Sequence, residues 1–455
     1  MNSSIRSKST RQRGTALAIV LVLITLLTVA GNLVLRQMRV NFLISNQLNR
    51  RFQLEHLAIG GLHQIVNMLR EHQLSLDFQF HEIVPGRCVA RQQQSGLYTD
   101  ILVLAFERED TVRVNGILGH SADKLFPAAL MIVGQSPRLV ISQGTIIDGD
   151  VLLNHGDISY SPPFVARHEP ILGRINLHNE FQDTLLNIER LEGIFSSFST
   201  ILENSSFTYP MLSDGSYSVS DLADYDRVYV DGDLELFGNR ADTLYLEELC
   251  VKYNLKLGGQ VVIAPGSRMI VGNNVFISDS TTALGVTVHA GRGIYFQDFS
   301  ETEGQFLADQ QISVTGNSNV KFPSLLCVPV NWEKVLGEPE IVIGDAATFQ
   351  GCVFLYDHEN DQYFSRQRLF QGKIRVGPTA TFSGGIVSEG VAEFYGSVAG
   401  FVYCHNIEQM DKRTRWTNYL QDTQLLRSRI SPRYPLPPIF SELTNLEILE
   451  MEILW

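Results

Sequence analysis

Ile341–Val353 reads IVIGDAATFQGCV, and 33 residues further on Ile374–Ile386 reads IRVGPTATFSGGI. Six of the 13 aligned positions are identical and two more are conservative. A shorter copy, Val391–Val398 (VAEFYGSV), follows Thr379–Ile386 (TATFSGGI) by 12 residues. A strand of four or five residues and a turn make one side of a coil, and stacked coils bury a continuous apolar column. Glycines belong at the corners, where the backbone adopts φ values that other residues resist. Insertions lodge at those corners, so the offset can be 33 in one place and 12 in another. The spacing predicts that Ile341, Ile343, Phe349, Val353, Ile374, Val376, Phe382, Ile386, Phe394 and Val398 line one apolar column.

Upstream the same texture persists. Val261–Ser278 (VVIAPGSRMIVGNNVFIS), Val286–Phe296 (VTVHAGRGIYF) and Ile312–Phe322 (ISVTGNSNVKF) are short strands between Gly, Asn and Asp turns. We therefore read residues 126–405 as a β-helix solenoid, right-handed because its rung lengths are irregular. A β-sandwich is the alternative, since it also yields many short strands. Within the solenoid, residues 178–204 place Phe181, Leu185, Ile188, Leu191, Phe195, Phe198 and Leu202 at helical spacing. That predicts an amphipathic helix packed over the coil or capping its end. Residues 406–455, with Trp416 and the run PRYPLPPIF at Pro432–Phe440, lack the coil pattern. They read as a C-terminal cap whose last residues form a docked strand.

The other end of the chain is of a different kind. Residues 1–14 form a basic leader carrying Arg6, Lys8, Arg11 and Arg13 and no acid, and Thr15–Leu35 is an uncharged apolar run of 21 residues. At ~1.5 Å per residue the run is about 30 Å of helix, the thickness of a bilayer's hydrocarbon core. Beyond it Val40, Leu43, Ile44, Leu48, Phe52, Ala58, Ile59, Leu62, Ile65, Val66 and Leu69 recur every three or four positions, the spacing of one helix face. Residues 15–76 thus read as a transmembrane and stem helix, with a bend expected at Gly60-Gly61. Residues 77–125 read as a small β-sheet head, with Leu97–Glu109 and Thr111–Gly119 as paired strands. The fold class is α+β, mainly β.

The junction Arg11-Gln12-Arg13-Gly14-Thr15-Ala16-Leu17 and the long helix after it resemble type IV pilin-like proteins. The resemblance covers about 75 of the 455 residues. It implies cleavage by a prepilin peptidase between Gly14 and Thr15 and assembly with other pilin-like subunits. It also implies a single pass of the bacterial inner membrane, with a cytoplasmic N-terminus and a body that is periplasmic or extracellular in a filament. Two residues depart from the family pattern: Ile19 stands where most pilins carry glutamate, and Thr15 where phenylalanine is usual. Loss of the glutamate is a feature of minor subunits, so the resemblance points to a minor pilin or pseudopilin. The coil pattern alone is similar to that of bactofilins, whose β-helices polymerise end to end. A plain signal anchor explains the hydropathy as well, and Thr28-Val29-Ala30 fits a secretory cleavage site.

Composition narrows the function classes. The chain carries a net charge of −13, and −17 without the four leader cations, which disfavours nucleic acid as a partner. The five cysteines are widely spaced with no C-x-x-C pair, so no zinc or redox motif is visible. Parallel β-helices include polysaccharide lyases and hydrolases, which need grouped carboxylates. The best local group is Asp357-His358-Glu359-Asn360-Asp361, where Asp357, Glu359 and Asp361 would share one side of an extended segment; a solvated loop is the simpler reading. The eleven histidines are scattered. The sequence therefore suggests a non-catalytic subunit needing no cofactor, which displays a β-helix for adhesion or for binding a glycan or protein ligand. The alternatives are an inner-membrane-anchored structural β-helix protein and a polysaccharide-active enzyme.

Overall fold

The structure is a computed structural model. It describes residues 6–75, 78–95, 97–108, 110–135, 137–161, 169–178, 187–239, 242–330, 339–357, 372–411, 414–431, 434–440 and 446–454. The protein is mainly β, with one long N-terminal apolar helix and a large parallel sheet.

Helix α1 spans Arg6–Arg70, 65 residues, or about 98 Å at ~1.5 Å per residue. It begins inside the leader and stays helical through Gly60-Gly61. Gly61 has a packing role: a Cβ there would lie 2.9 Å from both Cys88 Sγ and Ile83 Cδ1. The helix can therefore sit close against a sheet. From Leu54 onward one stripe of α1 is buried, with Leu54, Ala58, Leu62, Ile65, Val66 and Leu69 facing Cys88, Ala90, Ile101, Val103, Val112 and Val114.

Those partners come from an antiparallel sheet of β1 (His81–Val84), β2 (Cys88–Ser95), β3 (Tyr98–Glu107) and β4 (Asp110–Ser121). Burial alternates along β3, as expected for a sheet with one covered face. The far end of the chain completes this sheet. Pro435–Leu436 and Leu446–Leu454 both pair with β4, and Arg70 Nε donates to the Leu446 carbonyl at 2.6 Å. The segment expected as a cap over 406–455 is thus divided. Strand Gly396–Asp411 crosses its boundary as part of the coil, Thr414–Thr417 folds back antiparallel on its end, Tyr419–Leu420 pairs with Val140–Ile141, Thr423–Leu426 makes a further rung, and Pro435–Leu436 and Leu446–Leu454 belong to the head.

From Met211 to Glu408 the strands of the coil pair in parallel with later strands, unlike the antiparallel ladders of a sandwich. The two 33-residue copies fall in register, with Ile341 opposite Ile374, Phe349 opposite Phe382 and Val353 opposite Ile386. The shorter copy does not keep the alignment expected from sequence: Phe394 lies opposite Val376, and Val398, not Phe394, lies opposite Phe382. All ten residues expected in one column lie in one core. They form several adjacent files of it, one for each inward position of a rung.

The order of the rungs departs from the order of the chain. Leu130–Ile132 pairs with Val402–Cys404, Val151–Leu153 pairs with Leu130–Ile132, and Ile175–Asn176 pairs with Val151–Leu152. The strands Leu130–Ile132, Val151–Leu153 and Ile175–Asn176, expected to open the solenoid, are stacked on its last rungs, and Met211–Ser218 is the first rung of the ascending run. After the short helix α2 (Ala122–Leu125), α3 (Ile188–Thr208) lies along the outside of the coil on the way to that first rung. Asn187 caps α3 by accepting from Arg190 N at 3.0 Å. The helix runs along one outward file of register partners, Tyr229, Cys250, Ile270 and His289: Ser205 Oγ lies 3.1 Å from Cys250 Sγ, and Phe198 stacks on His289. The helix is a lateral cover; Phe181 and Leu185, expected in it, lie outside the described residues.

Candidate functional site

The N-terminal part of α1 is built differently from every other element. Ile19, Leu21, Leu27, Leu33 and Leu35 are each more than half exposed, and none of the apolar window of this helix is buried. Its polar side chains turn inward on the helix itself: Thr25 Oγ1 donates to the carbonyls of Leu21 and Val22, and Thr28 Oγ1 to that of Ile24. A hydroxyl satisfied in this way demands nothing of a hydrocarbon solvent. By length and composition the helix fits a membrane span and equally a signal sequence. Gly14 and Thr15 lie within the backbone of α1, and the Thr15 side chain is outside what the structure describes.

Past the apolar run, residues 36–53 remain fully outside the body. Val40, Phe42, Leu43, Ile44 and Leu48 are exposed there, between Arg36, Arg39, Arg50 and Arg51. The first acidic residue of the chain is Glu55. This exposed stretch is continuous with the stripe that the head covers from Leu54 onward. Over several turns it combines an exposed apolar surface with charge of one sign.

The polar groups of the body are arranged as ladders. Arg375, Glu393 and Glu408 are register partners on successive rungs. Lys373 Nζ lies 3.1 Å from Glu393 and 3.2 Å from Glu408, and Arg375 reaches Glu393 at 3.3 Å. Lys373, Glu393 and Glu408 are buried. Burial pushes the Glu393 carboxyl up, but hydrogen bonds from Tyr395 and Lys373 and the charges of Lys373 and Arg375 outweigh it, so the group stays below its ordinary range. Charges so enclosed bind one another, and the pattern is structural. Its trace in the sequence is the sign alternation at one repeat position, Arg375 in KIRV and Glu393 in VAEF, which a search for grouped carboxylates passes over. Elsewhere His289 Nε2 sits 3.2 Å from Asp309 Oδ1, stacked on Phe198 with centroids 4.7 Å apart beneath α3.

Of the carboxylate group expected in the sequence, Asp357 ends strand Thr348–Asp357 with its side chain outside the described residues, and Glu359 and Asp361 lie outside them altogether. Among the described residues no group of three or more His, Cys, Asp or Glu is placed to hold a metal ion. No protein-family model matches the chain, and no curated protein matches it.

Proposed function

We propose that this protein is a minor or accessory type IV pilin-like subunit of the bacterial envelope. In this reading α1 is anchored in the inner membrane with its N-terminus in the cytoplasm. A prepilin peptidase removes residues 1–14, and the stem then joins other pilin-like subunits. The coil, right-handed as most parallel crossovers are, is the displayed cargo and offers a rigid acidic surface for adhesion to a glycan or protein ligand. The observation that carries this reading is the continuity of α1: one helix is exposed and apolar over residues 19–35 and seats its final turns on an antiparallel head sheet. Ile19 in place of the usual glutamate favours low copy number. The reading invokes no catalytic step.

A second reading, a membrane-anchored structural coil that works in place, is favoured by the size of the parallel stack relative to the head. Mass spectrometry of the mature N-terminus separates the two. A chain beginning at Thr15 supports the subunit, one beginning at Met1 the anchor, and one beginning at Gly31 a secreted body.

A further inference from the structure

We infer that the exposed stem of α1 between residues 36 and 53 is a docking surface for an acidic amphipathic helix of a different membrane-anchored subunit, and not for a second copy of this chain. The inference rests on the reading of α1 as a membrane-anchored stem. At 3.6 residues per turn, Arg36, Arg39 and Arg50 fall with Val40, Leu43, Ile44 and Leu48 within about half of the helix circumference. The opposite half carries Met38, Asn41, Phe42, Ser45, Asn49 and Phe52 and no charge. The basic half is the same one that from Leu54 to Leu69 is buried against the head sheet. The helix therefore presents one continuous packing face, covered by the chain's own head in its last turns and uncovered before them.

Charge selects the occupant. Residues 1–54 contain eight Lys or Arg and no Asp or Glu. Two copies side by side in one membrane would set Arg36, Arg39 and Arg50 against their equivalents, and like charges along facing helices are unfavourable. A helix with carboxylates at those heights would gain three charge pairs around an aliphatic seam. Lipid headgroups are a poorer match. Arg36 borders the span, but Arg50 lies 14 residues further on, about 21 Å along the helix axis and beyond a headgroup layer of roughly 5–8 Å.

The test uses the full chain in detergent micelles. All five native cysteines are buried, so the I44C variant carries one accessible thiol on the proposed face. It is mixed with a second copy bearing I44C and R36E/R39E/R50E, which presents the same surface with carboxylates in place of arginines. Disulfide formation on mild oxidation should favour the mixed dimer over either homodimer by about tenfold at low salt and lose that preference at high salt. Three results would overturn the inference: the I44C homodimer forming as fast as the mixed one, no dimer in any mixture, or phosphatidylglycerol vesicles alone shielding the I44C thiol. The mature N-terminus is measured independently. Correct processing without charge preference removes only this inference, whereas charge preference on an unprocessed chain removes only the filament assignment.

Discussion

Phe349 and Phe382 occupy the same inward position on neighbouring rungs, register partners whose ring centroids lie 5.3 Å apart. Both are buried, and each belongs to one copy of the repeat A-T-F-x-G. The pair is therefore the point where sequence repetition becomes a physical contact.

Replacing Phe382 with Ala removes a buried ring and leaves a cavity flanked by Phe349 and Val398. The expected loss is about 3–5 kcal/mol, read as a lower midpoint in chemical unfolding of the full chain in detergent. Substitutions at the partly exposed Glu389 should cost less. Equal losses at the two positions would mean that the stacked core does not support the coil.

A glycine file runs beside this core. Gly351, Gly384 and Gly400 are consecutive register partners, and Gly384 has φ of 144°, a region that only glycine occupies readily. A Cβ at Gly384 would meet the Gly351 carbonyl oxygen, which belongs to a backbone that cannot swing aside. Gly384→Ala should therefore destabilise the coil by several kcal/mol, enough to lower the yield of folded protein. Ser383→Ala on the neighbouring residue serves as the control and should be nearly silent.

Lys373→Met removes the cation shared by two buried carboxylates while leaving Glu393 with Arg375 and Glu408 with Arg415, and should cost about 1.5–3 kcal/mol. The pH dependence follows from Glu393, whose carboxyl is held below its ordinary range in the folded chain. Such a group contributes stability above its unfolded pKa of ~4.3, and that contribution is lost as pH falls through the lower folded value. Thermal midpoints recorded from about pH 7 down to 3 should fall on the acid side, and Glu393→Gln should flatten that fall.

The thiols should be silent in the native protein. Burial pushes Cys88 up to about 11 and Cys250 up to about 12, and raises Cys327, Cys352 and Cys404 further. Since the thiolate is the reactive form, an aromatic disulfide reagent near neutral pH should label none of the five until denaturant is added. The unfolding midpoint should not respond to reductant.

Processing and chemistry can be separated genetically. Gly14→Leu should block leader removal and abolish the surface phenotype, because Arg11 and Arg13 would stay attached to an apolar stem. The combined change Asp357→Asn, Glu359→Gln and Asp361→Asn should leave that phenotype nearly intact. The reverse outcome would assign the coil an enzymatic or metal-binding role on a simple anchor.

What could be read from the chain was local or repetitive. Helical spacing from Val40 to Leu69 announced α1, and the β-branched and aromatic residues of Leu97–Gly119 announced β3 and β4. The 33-residue echo announced parallel coils because side chains at equivalent positions must fill equivalent space. Three features escaped: the place of the expected C-terminal strand, Leu446–Leu454, beside β4 of the head, the stacking of Leu130–Ile132, Val151–Leu153 and Ile175–Asn176 on the last rungs, and the burial of Gly61 against Cys88. Each depends on which backbone edge meets which. The hydrogen bonds of a parallel rung join N–H to C=O whatever the side chains, so an alternating apolar strand fits many neighbours equally well. Its place in the stack is decided only when helix α3 lies along the outer file and the chain's two ends meet on one sheet. Local patterns therefore determined the elements of this protein, while the order in which they stack was settled by the closure of edges far apart in the chain.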